Sequence, residues 1–260
     1  MSERPVVLCF SGHDPCGGAG VQADIEAIVS HRCHAVSVIT ALTEQDTGNV
    51  KRLFPQSAEH LLAQARTLLA DVTVSAIKIG LLGSAGIAEA VGEILQECPG
   101  VPVVLDPVLA AGGGMDLSER RLIETVLNRL LPLTTIVTPN SPEARKLAGL
   151  DDLPACGTFL QDKGANYVLI TGTHENSEQV DNRLFMPDGL REVFHWQRLP
   201  HHYHGSGCTL AAAIAALLAQ GLDVFNAVLE AQDFVWQSLE NAYRTGHGQH
   251  NPDRLFWIEP

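Results

Sequence analysis

The chain is short of positive charge, of long apolar runs and of paired cysteines, and each shortage excludes a class of protein. Lysine and arginine number 17 against 30 aspartates and glutamates, a formal net charge of −13. Nonspecific nucleic-acid binders and proteins that dock on anionic membranes need a basic surface to release counterions or meet headgroups, so neither partner is expected. The most apolar stretch, Leu210–Ala219, is about half the length of a spanning helix. The opening Met1-Ser2-Glu3-Arg4-Pro5, followed by a short apolar run that gives way to Ser11, fits no signal peptide. Cys9, Cys16, Cys33, Cys98, Cys156 and Cys208 form no C-x-x-C and no zinc-type Cys/His pairing. They read as reduced thiols, which places the chain in the cytoplasm. His201, His202 and His204 read as solvated histidines at a loop end rather than as zinc ligands.

What is present is length and rhythm. The 260 residues, 45% of them hydrophobic, are ample for a large buried core, and no repeat or linker divides them, so one domain spanning 1–260 is expected. Short β-branched runs alternate with segments of helical period. Strands are expected at Val6–Phe10, Ala35–Leu42, Val74–Leu82, Val101–Val108, Thr134–Thr138 and Tyr167–Thr171, with a hairpin of Asn182–Met186 and Leu190–Trp196 about Pro187-Asp188-Gly189. Helices are expected at Gln22–Ser30, Ala58–Ala70, Ile87–Gln96, Glu119–Leu131, Pro142–Ala148, Thr209–Leu218 and Val224–Tyr243. Asp151–Gly157 reads as a connector between helices. Near-continuous runs such as Val101-Pro102-Val103-Val104-Leu105 indicate a sheet covered on both faces, hence parallel strands with crossover helices. Ligands in such folds bind beyond the carboxyl ends of the strands.

Those ends carry the chemistry. After the first strand, Ser11-Gly12-His13-Asp14-Pro15-Cys16-Gly17-Gly18-Ala19-Gly20 leads into a helix; its glycines either bring amides to a ligand or serve a tight turn. The spacing is neither that of a dinucleotide fold nor that of a P-loop. Thr43-Glu44-Gln45-Asp46-Thr47 ends the second strand with an amide suited to a heterocycle edge. Asp106, Asn140 and Glu143 fall on the same edge as hard oxygen donors for Mg²⁺ and phosphate, Asn140 being equally a helix cap. In His204-Gly205-Ser206-Gly207-Cys208-Thr209, two glycines and a hydroxyl begin an uncharged helix that must be buried, which presents free N–H groups and a dipole end to an anion. Cys208, in that first turn, is either a small core residue or a thiol whose pKa falls so that its thiolate accepts a proton.

These blocks, with Ser37-Val38-Ile39-Thr40-Ala41-Leu42, Lys78-Ile79-Gly80-Leu81-Leu82, Leu105-Asp106-Pro107-Val108 and Thr138-Pro139-Asn140-Ser141-Pro142-Glu143, occur in an order that resembles the hydroxymethylpyrimidine/phosphomethylpyrimidine kinases of the ribokinase-like superfamily. The resemblance implies a three-layer α/β/α fold with a mostly parallel sheet. It implies ATP- and Mg²⁺-dependent phosphorylation of 4-amino-5-hydroxymethyl-2-methylpyrimidine and then of its monophosphate, in thiamine biosynthesis. Gln45, Gly12, Leu81 and Val108 match pyrimidine-binding positions. Gly205, Ser206 and Gly207 match the anion hole, Cys208 the proton acceptor, and Asp106, Asn140, Glu143 and Thr171 the ATP and Mg²⁺ region, with Asp106 and Glu143 toward the metal. A small-molecule pyrimidine is the expected partner, with a homodimer left open. Departures are Thr171 where the family has lysine, Ala110-Ala111-Gly112-Gly113-Gly114 without the usual lysine and serine, and Cys16 for serine. Arg145 or Lys146 is the expected substitute for the lost charge. A pyridoxal-type kinase and a noncatalytic pyrimidine-binding protein are the alternatives.

Overall fold

The structure, a computed structural model, describes residues 4–109, 117, 119–189 and 191–258. From the N-terminus come β1 (Val6–His13), α1 (Gly20–Ser30), β2 (His34–Gln45), β3 (Val50–Pro55), α2 (Ala58–Leu69), β4 (Ala76–Ile79), α3 (Ala85–Glu97) and β5 (Val103–Leu105). The second half contributes α4 (Arg120–Thr125), β6 (Ile136–Val137), α5 (Ser141–Ala148), α6 (Leu153–Asp162), β7 (Tyr167–Ile170), β8 (Gln179–Phe185), β9 (Arg191–Gln197), α7 (Ser206–Ala219) and α8 (Val224–Glu240). All nine strands join one sheet in the order β3-β2-β1-β4-β5-β6-β7-β8-β9. The run from β2 to β7 is parallel, and antiparallel strands flank it: β3 at one edge, β8 and β9 at the other.

The period-2 alternation of side chains explains the layers. On β1, Leu8 and Phe10 enter a core with residues of α2, α3, α4, α5 and α6, whereas Val7 and Cys9 enter a second core with α1, α7 and α8. Both faces of the central strands are therefore covered, and the expected three-layer α/β/α arrangement is present. Helix α7 lies wholly inside the second layer, with Leu210 to Leu218 all buried. Each buried Leu or Ile there is worth about 1.5–3 kcal/mol, which fixes the helix and therefore its N-terminus. The chain leaves β1 toward β2 on one side and later returns to β4 on the other, so the strand order reverses at β1, and in such folds a crevice opens at the carboxyl end of that strand. Among the described residues no helix is long and apolar enough to cross a membrane.

Four local expectations change. Val50–Pro55 is a strand, hidden in the sequence because Lys51 and Arg52 face solvent on an edge. Asp151–Gly157 is not a connector: Asp152 accepts from the Ala155 amide and, with Pro154 in the first turn, starts α6. The helix expected over Glu119–Leu131 is α-helical only to Thr125, then widens into a π-turn over Val126–Leu130 and tightens over Leu131–Leu133, where Pro132 sits. The first strand of the terminal hairpin begins at Gln179, not Asn182; its turn at Pro187-Asp188-Gly189 is as expected, with Gly189 at φ 81°, and Leu190 lies outside the described residues.

Candidate active site

The first turn of α7 forms one wall. Gly205 caps it at φ 79°, where a Cβ would also collide with the Gly18 carbonyl oxygen, so glycine is required twice over. No side chain caps the helix, which leaves the first amides at Ser206, Gly207 and Cys208 without an intrahelical or capping partner, an arrangement able to receive an anion. The space a Cβ on Gly207 would take lies 3.9 Å from Asp106 Oδ2, so the helix end faces that carboxylate. From the chain's far end, fully buried Arg254 donates to Thr209 Oγ1 (2.8 Å) and to the Gly18 carbonyl and pairs with Glu26 (2.9 Å), tying α7 to the loop after β1.

Cys208 occupies the expected place but not the expected charge state. Burial raises its thiol pKa to about 12, and the charges of Asp106 and Asp24 add to this; Lys78 and the Gly20 amide oppose it without prevailing. The helix dipole alone does not make a thiolate, because the thiol is buried and has two carboxylates nearby. Cys208 is a protonated thiol hydrogen-bonded to Asp106.

Asp106, just past β5, and Glu143, in the first turn of α5, are 5% and 6% exposed. Burial pushes Asp106 up to about 6, and burial followed by the charge of Asp106 pushes Glu143 up to about 8, while Lys146 draws it down. Glu143 accepts from the Leu109 and Asn140 amides (3.1 and 3.0 Å). Two buried carboxylates, one of which raises the pKa of the other, favour a nearby cation, and the oxygen-only donor set suits Mg²⁺. Among the described residues no third metal-binding side chain joins them, so a cation held there would take its remaining ligands from water or a bound ligand. Asn140, by contrast, spends its side-chain oxygen as the α5 cap, accepting from the Glu143 amide at 2.9 Å in a capping box. Thr171 bridges to Asn140 at the ends of β6 and β7.

Beneath this wall lies a charge pair that the sequence did not single out. Lys78 on β4 and Asp24 on α1 are both fully buried, with Nζ 2.8 Å from Oδ1. Ser11 donates to Asp24 and accepts from Lys78 at 3.2 Å. Burial would lower the lysine pKa, but Asp24, Cys208 and Asp106 together hold it above the ordinary value, so the ammonium is a permanent charge under Asp106 and Cys208.

The residues expected at the pyrimidine lie at or just past the ends of four neighbouring strands, Gln45 on β2, Gly12 on β1, Leu81 after β4 and Val108 after β5. Leu81 packs on Gly12: a Cβ on that glycine would stand 2.8 Å from Leu81 Cδ2. Val108 follows Asp106 in a tight turn, its amide donating to the Asp106 carbonyl at 2.9 Å. Gln45 ends β2 with its carboxamide against His204 Nε2 (2.8 Å) and Thr43 Oγ1 (3.1 Å). His204 is not the solvated residue expected from sequence. Its Nε2 lies 2.9 Å from Asp14 Oδ2, and the two side chains are 12% and 4% exposed. Burial would raise Asp14, yet the hydrogen bonds from His204 and from the Cys16 and Ala19 amides outweigh it and leave the carboxyl below its usual value.

The glycine run therefore answers to packing. Its amides at Cys16 and Ala19 serve the Asp14 carboxylate (2.8 and 2.9 Å), Gly17 donates to the Asp14 carbonyl, and Gly20 needs φ 61° and room beside the Gly12 carbonyl. The substituted Cys16 donates its thiol to the Gln45 carbonyl at 3.6 Å. Arg145 does not replace the missing lysine, because Glu175 holds its guanidinium bidentately at 2.7 and 2.9 Å. Ala110–Gly114 lie outside the described residues. A groove of about 520 Å³ lined by His31, Trp196, Asp233 and Phe234 contains none of these groups.

This geometry has close relatives. The crystal structure of an ADP complex of Bacillus subtilis pyridoxal kinase superposes with a TM-score of 0.91, at 27% identity over 98% of this chain and 99% of that one. Clostridium difficile phosphomethylpyrimidine kinase superposes at 0.79, with 28% identity over 91% of this chain and 100% of that one. By sequence, the hydroxymethylpyrimidine/phosphomethylpyrimidine kinase of Haemophilus influenzae is 36% identical over 261 residues, 97% of each chain. The family model for phosphomethylpyrimidine kinase matches residues 14–253, from the Asp14 turn to the segment that carries Arg254, and the chain belongs to that family.

Proposed function

We propose that the chain transfers the terminal phosphoryl group of ATP to the hydroxymethyl oxygen of 4-amino-5-hydroxymethyl-2-methylpyrimidine and then to the monophosphate so formed. The observation that carries this reading is the family match over residues 14–253, together with the open α7 N-terminus facing Asp106 and Cys208. Nucleotide use is supported by the ADP complex of the pyridoxal kinase that superposes on it.

Phosphoryl transfer asks the protein mainly to align, neutralise and remove one proton. Gln45, between Thr43 and His204, holds the ring edge, while Gly12, Leu81 and Val108 form the apolar walls that set the hydroxymethyl group toward α7. The Ser206, Gly207 and Cys208 amides meet the equatorial phosphoryl oxygens as charge spreads over them. Asp106 and Glu143 are the residues that would hold Mg²⁺, which supplies charge neutralisation to the nucleotide phosphates. The hydroxyl proton leaves late in a loose transfer, so its acceptor has only to be in place. Cys208 takes that proton on sulfur as its own thiol proton passes to Asp106, whose pKa of about 6 leaves it largely ionised at neutral pH.

Mass spectrometry of the product formed with excess ATP tests the proposal. Pyrimidine diphosphate is the expected end point; monophosphate alone would limit the chain to the first step, and no product would favour a binding role. The second reading, a pyridoxal kinase, is favoured by the superposition at 0.91, and parallel kinetics with pyridoxal decide between the two.

A further inference from the structure

The hydrogen bonds around Gln45 impose a constraint on its amide. Suppose the amide nitrogen faces His204 and the oxygen faces Thr43. His204 Nε2 must then accept from Gln45 (2.8 Å) while donating to Asp14 Oδ2 (2.9 Å), which one ring nitrogen of a neutral imidazole cannot do. The single hydroxyl proton of Thr43 is also claimed twice, by the His13 carbonyl (2.9 Å) and by the Gln45 oxygen (3.1 Å). Reversing the amide removes both conflicts. Nε2–H of His204 is then shared between Asp14 and the Gln45 oxygen, and the Gln45 N–H donates to Thr43, whose proton goes to His13.

We infer that Asp14, His204 and Thr43 are positioning residues that lock the Gln45 carboxamide in one orientation, so that it reads a single order of donor and acceptor on the substrate ring. The lock is built to hold. Asp14 is pinned by the Cys16 and Ala19 amides, and the His204 ring is walled by Gly18, with Asn251 of the C-terminal segment on the same side. The amide keeps one N–H and one oxygen lone pair for a ligand. Beside its hydroxymethyl group, an aminopyrimidine offers an amino donor and then a ring-nitrogen acceptor; pyridoxal offers an aldehyde acceptor and then a phenolic oxygen. A freely turning glutamine can serve either order, whereas a locked one serves one of them. The inference rests on the substrate reading above only in naming the aminopyrimidine as the preferred order.

The test compares kcat/KM for the aminopyrimidine and for pyridoxal in the wild type, H204L, H204Q and T43V, with thermal unfolding of each. Losing one charge-assisted partner should lower aminopyrimidine kcat/KM roughly tenfold to a hundredfold, chiefly through KM, because a mispaired polar edge is penalised to about that extent. Pyridoxal should be spared, so the selectivity ratio falls at least about tenfold in H204L and T43V. H204Q, whose amide can donate to both Asp14 and Gln45, should restore most of it. Equal losses on both substrates, or an unchanged ratio in stable H204L and T43V, would overturn the lock. A wild type that prefers pyridoxal would sink the substrate reading instead, and the lock would then be judged by whether the ratio still moves. Calorimetric binding of the two compounds gives the same ratio should turnover be absent.

Discussion

Replacing Lys78 by methionine isolates the buried charge pair under the active site. The substitution keeps an unbranched chain of similar length, so little cavity opens, but it strands Asp24 with no exposed surface and only Ser11 as a donor. Breaking a buried pair from one side costs about 3–5 kcal/mol, a large share of the 5–15 kcal/mol that holds a typical domain together. For a chain of this size that corresponds to a fall in Tm of roughly 6–20 °C. The remedy identifies the cause: in K78M/D24N no unpaired charge remains, and most of the loss should return, because the pair's attraction barely exceeds the cost of drying its two charges. Urea and thermal unfolding of wild type, K78M, D24N and the double variant close a double-mutant cycle. A K78M protein within about 1 kcal/mol of wild type, or a double variant no better than its worse parent, would refute the argument. The double variant should fold yet turn over more slowly, since the ammonium that faces Asp106 and Cys208 is gone.

C208A should lower kcat by about 10²–10⁴ with little change in Tm, as expected for a proton acceptor that is not a packing element; an unchanged kcat would remove the role. G205A should destabilise the fold by at least about 1–3 kcal/mol in chemical denaturation, since it combines a left-handed backbone with a collision against Gly18. Glu175 is held down to about 2, first by the Arg145 guanidinium, against an ordinary value of 4.5. A lowered carboxyl stabilises the fold above its unfolded pKa and loses that contribution as pH falls through the folded one, so stability should decline between about 4.5 and 2, and E175Q should flatten that limb. Activity should depend steeply on Mg²⁺ and vanish with chelator, and E143Q should shift the Mg²⁺ titration to higher concentration; saturation at trace metal would count against the pair as its site.

Legibility followed burial. β1 and β5 could be read because both faces are dry and their residues are continuously apolar, whereas the edge strand β3 carries Lys51 and Arg52 and looks like a loop. The start of α6 was written in Asp152 and Pro154, yet Asp151–Gly157 read as a connector; Gly157 is inside the helix because the Phe185 ring occupies the space of its Cβ. At the candidate site, residues whose place follows from their own local backbone were legible: Gly205 to Cys208 at the start of α7, Asp106 just past β5 and Glu143 in the first turn of α5. Partners separated by most of the chain were not. Nothing near His204 announces Asp14, and nothing near Arg254 announces Gly18 and Thr209, because those pairings exist only once β1 and α7 lie side by side.

The acidity of the chain gains meaning from these pairings. With a net charge of −13, the protein must hold polyphosphate by local means, and several means suggested by the sequence are already committed. Arg145 belongs to Glu175, the amides of Cys16 and Ala19 belong to Asp14, and Thr171 stands where a lysine would bring charge. What would face the anion in the proposed function is the α7 N-terminus, backed by the buried Lys78 ammonium, while Asp106 and Glu143 would supply a place for a cation. A dipole end and a buried ammonium are fixed in position and cost no reordering when the phosphoryl group arrives, which is the property that makes such groups effective in the transition state. The carboxylates oppose them until a cation is present. Under the proposed function, the same two residues that make the site acidic would make nucleotide binding conditional on metal, which the Mg²⁺ titration of E143Q tests.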